Sequence, residues 1–135
     1  MAQLYTHPFP VHVQLARHWL MDSLGLDVWT RTPNDMTSIL PVIKIGGAPS
    51  GSINGYERGV SVDLDLFTKD QGSMDDLSQR VDLAMARLAG NGNAYGYVDD
   101  LTGGSFAAVD YGDPELLRYV ATYSMTVRPL TSPTQ

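Results

Sequence analysis

The chain has 135 residues, of which 43% are hydrophobic and 18% charged, with no cysteine, the profile of one compact domain able to hold a core without covalent staples. Nine Lys+Arg against fifteen Asp+Glu leave a net charge of −6, the opposite of the basic footprint that gripping a phosphate backbone requires. The missing cysteines exclude disulfides, thiolate nucleophiles and Cys-type zinc sites together.

From the N-terminus, Val13, Ala16, Leu20 and Leu24 follow three- and four-residue spacing and Gly25 supplies a stop, so Val11 to Leu24 reads as an amphipathic helix. His12, Gln14, Arg17, His18 and Asp22 interrupt its apolar part, which is unlike a signal peptide. No run of about 18 apolar residues follows anywhere, so the expectation is a protein made in a cytoplasm with no membrane partner. Val28 to Thr32 is strand-like, Pro33 to Asp35 make a turn, and the apolar run Ile39 to Ile45 is a strand in which Pro41 favours an early or edge position. Gly46 to Gly59, with five glycines and a proline, reads as a loop with its tip at Asn54-Gly55.

Val60, Val62, Leu64 and Leu66 then alternate with Ser61, Asp63 and Asp65, a strand with one apolar and one polar face. Phe67 falls on the polar face, where an exposed aromatic hints at a protein contact and packing against a helix end is the alternative. Ser73 and Asp76 give a capping-box signal for a second helix, Met74 to Ala89, with Met74, Leu77, Val81, Ala84, Met85 and Leu88 as its stripe. Asn91 to Glu115 is rich in Gly, Asn and Asp, and within it Ala94 to Val98 and Phe106 to Val109 read as short strands. Arg118 to Arg128 alternates Tyr119, Ala121, Tyr123, Met125 and Val127 with Thr122, Ser124 and Thr126, a long two-faced strand. The predicted fold is α+β: a mainly antiparallel sheet of four to five strands packed with two helices, in the order α-β-β-β-α-β-β, as a single domain with residues 1–7 and 129–135 frayed.

The residues offer no catalytic constellation. His7, His12 and His18 lie five and six apart, which stacks no two imidazoles on one helical face, so they read as surface or cap histidines rather than metal ligands. Gly46 and Gly51 have phosphate-loop spacing, but Ser52 and Ile53 follow where Lys and Ser/Thr are needed, so no nucleotide cofactor is expected. Asp63 and Asp65 share a strand face about 7 Å apart, a spacing open to paired-carboxylate or metal chemistry, yet no third ligand lies nearby. The Gly103-Gly104-Ser105 segment misses the spacing of a nucleophile elbow. An interaction or assembly module fits best. The competing reading is a small enzyme or ligand-binding domain with a site assembled from distant residues such as His18, Asp65 and Arg118.

Four segments in order, LPVIKIGG, RGVSVDLDLFTKD, DDLSQRVDLAMARLAG and RYVATYSMTVRP, resemble the tail terminator (tail completion) proteins of long-tailed bacteriophages over about Leu40 to Pro129. The resemblance implies an α+β subunit that closes a ring, a homo-hexamer, on the last ring of the tail tube. It ends tube polymerisation and offers the surface that the filled head joins, with no active site and no cofactor. Its partners are then further copies of itself, the tail tube protein and a head-completion or neck protein, with DNA passing through unbound. Its place is the virion tail, assembled in the host cytoplasm. A head–tail joining protein of the same virion is the nearest alternative. On this reading Gly46, Gly47, Asn54, Tyr56 and Arg58 of the glycine loop, with Phe67 and Lys69, contact a neighbouring subunit or the tube, and Asp63 and Asp65 face the lumen. Eleven of the fifteen acids lie between Asp63 and Glu115, so the acidity is local.

Overall fold

The computed structural model describes residues 8–48, 52–54 and 57–130, with Ser52 and Asn54 described in their backbone alone. Helix α1 (His12–Leu24) buries His12, Leu15, Ala16 and Leu20 along one stripe. It stops at Gly25, whose φ of +68° lets its N–H reach back to the Met21 carbonyl at 2.9 Å. Helix α2 (Gln71–Leu88) starts earlier than its apolar stripe suggests, because Asp70 and not Ser73 is the cap. The Ser73 N–H donates to the Asp70 carboxylate at 2.8 Å, so Ser73 lies inside the first turn.

Among the described residues seven strands form one sheet: β1 (Val28–Trp29), β2 (Val42–Gly47), β3 (Ser52–Asn54), β4 (Glu57–Thr68), β5 (Asn91–Asn93), β6 (Gly96–Val109) and β7 (Leu117–Val127). Their order is β1-β2-β4-β7-β6-β5, with β3 also paired to β4. The α+β class holds, with more strands than the four to five expected and one parallel pair, β1 with β2. The remaining pairs are antiparallel.

Two differences from the sequence reading involve glycine. Within Gly46 to Gly59 the described residues include strand where a loop is expected: Gly46 and Gly47 pair with Asp63 and Val62, and Ser52–Asn54 pairs with Glu57–Gly59, while the expected tip at Gly55 lies outside the described residues. Gly47 is there for close approach, since a Cβ would overlap the Ser61 carbonyl across the ladder. The stretch Asn91 to Glu115 likewise holds the three-residue β5 and one long strand, β6, in place of the two short strands expected at Ala94 to Val98 and Phe106 to Val109. Gly103, Gly104 and Ser105 have φ of +101°, +98° and +65°, and the register shifts between Gly104 and Ala107. The glycines therefore mark a bulge within β6 and not a break in it.

Both helices cover the same sheet face. Leu15, Ala16 and Leu20 of α1 and Met74, Leu77, Val81, Ala84, Met85 and Leu88 of α2 share one core with Ile43, Ile45, Val60, Val62, Leu64, Leu66, Ala121, Tyr123, Met125 and Val127. Each large aliphatic side chain buried there contributes about 1.5–3 kcal/mol. Polar ties fix the layer: Trp19 Nε1 donates to the Ala84 carbonyl at 2.7 Å, Arg80 to the Leu24 carbonyl at 3.1 Å, and Asn93 to the Leu15 carbonyl at 3.0 Å.

Candidate functional site

The opposite face of the sheet is covered by neither α1 nor α2, and alternation decides what it presents. Across β2, β4, β7 and β6 the register aligns Gly46, Asp63, Thr122 and Gly104 in one row. Lys44, Asp65, Val120 and Ala107 form the next row, and Ser61, Ser124 and Thr102 lie on the other side. This is a surface mainly of small, hydroxyl and acidic side chains, with Lys44, Val120 and Arg118 as exceptions. A shallow depression in it is lined by Ala48, Gly59, Ser61, Asp100, Thr102 and Ser124 among others. One carboxylate and no base–nucleophile pair converge there, which suits packing or sliding contacts better than chemistry.

Asp63 and Asp65, both on this face, are held differently. Asp63 is exposed and accepts a hydrogen bond from Thr122 Oγ1 at 2.7 Å. Asp65 is paired with Arg118, Nη2 to Oδ2 2.8 Å, and its side chain is only 18% exposed. The charge of Asp65 is therefore neutralised locally, and Asp63 and Asp100 are the exposed acids of the central rows.

Phe67 corrects the sequence reading. It lies on the polar side of β4, yet it is 1% exposed, because Met36, Val42 and Leu116, with Trp29 and Leu40, close over that end of the face. Tyr111 meets its ring edge-on, centroids 5.0 Å apart. Phe67 is a core residue of a second small cluster and offers no contact surface. Of the other expected interface residues, Gly46 and Gly47 belong to β2, and Lys69 is exposed just after β4. Arg58 is half-buried with its guanidinium 4.6 Å from the Phe9 ring centroid. Tyr56 and the side chain of Asn54 lie outside the described residues.

The proposed distant triad does not form. Asp65 and Arg118 meet on the open face, whereas His18 projects from α1 and stacks on Tyr95, centroids 4.2 Å apart, beyond the helix-covered face. His12 is buried, and desolvation lowers its pKa; the Ala48 carbonyl opposes that shift and the Arg58 charge adds to it. His7 lies outside the described residues. No group of three His, Asp or Glu residues is placed to hold a metal ion among the described residues.

Two features escaped the sequence reading. The Tyr123 hydroxyl donates to the Asp82 carboxylate of α2, and burial together with that carboxylate pushes the phenol pKa well above its ordinary value. Its signal was present only as a polar Asp on a helix and a Tyr on an apolar strand face, with nothing to join them. At the β5–β6 end, Arg128 lies 4.8 Å from the Tyr97 ring centroid and donates to both Asp99 oxygens at 2.7 and 2.9 Å.

No protein-family profile matches the sequence, and no curated protein matches it. Among solved structures, the fold is similar to a chain from the virion of a native gene transfer agent particle, with a TM-score of 0.62 at 12% identity. The likeness covers 85% of this chain and 92% of that one. At that identity the likeness is one of fold.

Proposed function

We propose that this chain is a structural subunit of a phage-like virion, a tail terminator that closes as a homo-hexameric ring on the tail tube. There it stops tube growth and offers the surface a head-completion protein joins. One observation carries the reading. The four segments that resemble terminators occupy β2, β4, α2 and β7, the central frame of a fold shared over nearly its whole length with a gene transfer agent virion chain. The open sheet face fits a ring lumen: neither α1 nor α2 covers it, it carries mostly small and hydroxyl side chains, and it holds Asp63 and Asp100 where they would repel phosphate. The site needs no cofactor and the reading involves no reaction. Assembly would take place in the host cytoplasm and the chain would reside in the tail.

Electron microscopy of particles made without this chain tests the reading. Abnormally long, headless tubes are expected. Tails of ordinary length that merely lack heads would instead assign the chain to the neck.

A further inference from the structure

Strand β6 is fourteen residues long, and β5 pairs only with its first three, Gly96 to Val98. Over Asp100 to Gly104 and Ala107 to Val109 its inner edge is bonded to β7, with register shifts at Asp99 and at Ser105–Phe106, and its outer edge has no partner among the described residues. An edge of that length exposes a row of N–H and C=O groups that proteins ordinarily blunt with charged side chains such as lysine, with proline, with bulges or with a covering segment, and of these β6 carries Asp99, Asp100 and its bulge. Asp99 to Val109 contains neither lysine nor proline. At the other end of the sheet, β1 pairs with Ile43 and Lys44 of β2, and the outer edge of Ile45 to Gly47 has no partner among the described residues.

The strand directions make these two edges compatible. The sequence β2-β4-β7-β6 is antiparallel at every step, so its two outer strands run in opposite directions. Placing the β6 edge of one copy beside the β2 edge of another in the same orientation therefore gives one more antiparallel pair. That contact is heterologous and repeats head to tail, the kind of contact that closes rings. Side chains do not obstruct it, since Ala107 and Ala108 are small and exposed, and a Cβ at Gly46 would meet nothing within 4 Å.

We propose that the outer edge of β6, Asp99 to Val109, pairs antiparallel with the outer β2 edge, Ile45 to Gly47, of a second copy of this chain. The sheets of neighbouring subunits then run on as one continuous sheet. The proposal rests on the ring reading and supplies its subunit contact.

The absence of native cysteine makes the test clean. Gly46→Cys is combined in one chain, in turn, with Thr102→Cys, Ser105→Cys, Ala107→Cys or Val109→Cys, so that several registers are sampled. Three strand spacings, about 14 Å, separate the two positions within a chain, beyond the reach of a disulfide. The variants are oxidised in assembled particles and in the isolated protein. At least one pair should give a reducible ladder of dimer to hexamer on a denaturing gel, while each single-cysteine variant stays monomeric. Rings visible by microscopy with no ladder from any pair would overturn the edge contact and leave the ring reading standing. A single β6 cysteine that cross-links to itself would also overturn it, in favour of a two-fold edge pairing. Particles with no ring of this chain would end both.

Discussion

Arg118 and Asp65 form an ion pair, Nη2 to Oδ2 2.8 Å, across the β4–β7 ladder on the sheet face opposite α1 and α2. Arg118 Nε is buried without a hydrogen-bond partner, so the guanidinium depends on this carboxylate for its pairing. Asp65→Ala should cost about 1–3 kcal/mol by stranding the arginine. Asp63→Asn, at an exposed position tied only to Thr122, should shift stability by no more than ~0.5 kcal/mol. Urea unfolding midpoints of the two variants check the contrast.

The same contrast separates stability from lumen charge. Asp63→Lys lies away from the β6 edge, leaves the Asp65–Arg118 pair untouched and turns an exposed acid of the open face basic. Rings should still assemble, and DNA release from the particle should slow as phosphate adheres to the new charges. An unchanged release rate with intact rings would remove this face from the lumen.

The Tyr123 hydroxyl on the Asp82 carboxylate joins α2 to β7. Tyr123→Phe and Asp82→Ala should each destabilise the fold, and a double-mutant cycle should return a coupling of about 1–3 kcal/mol, as for a hydrogen bond to a charged group. A coupling near zero would mean the contact contributes only packing.

His12 is buried with Nε2 unpartnered, and its pKa is lowered from 6.5, mainly by desolvation. A depressed folded-state pKa means that the unfolded chain takes up the proton first. The contribution of His12 is therefore present above pH 6.5 and is lost as the pH falls below it. Unfolding midpoints measured from pH 7.5 down to about 5 should decline in the parent chain and decline less steeply in His12→Leu.

Adjacent glycines in β2 should respond in opposite ways. Gly46→Ala is expected to be nearly silent, because a Cβ there meets nothing within 4 Å, whereas at Gly47 it would overlap the Ser61 carbonyl and part β2 from β4. Thermal unfolding of the two variants distinguishes them, with a loss of about 1–3 kcal/mol expected at Gly47 alone.

Much of the fold was legible where periodicity was long and uninterrupted. The stripes of α1 and α2 and the alternation of β4 and β7 put their apolar residues into one core, as patterning requires. Glycine misled the reading in two places because its use was not conformational punctuation. Gly47 allows strands to approach, and Gly103-Gly104 bend a strand that continues. Phe67 defeated the alternation rule because the segment around Met36 and Leu116 caps one end of the open face, a contact between residues about 30 and 50 positions distant from it in sequence. Asp65 and Arg118 are grouped in the sequence only as members of a possible distant site, and their pairing cannot be derived there because strand register is set by the whole sheet and not by either strand's own pattern.

The central claim, that this chain ends tube growth, is tested most directly by the length distribution of tubes assembled from purified tube protein with and without it. Addition of the chain should arrest growth and leave a ring of it at one tube end, with tubes lengthening without limit in its absence. Tubes of the same length in both reactions, or the chain bound along the tube wall, would contradict the account.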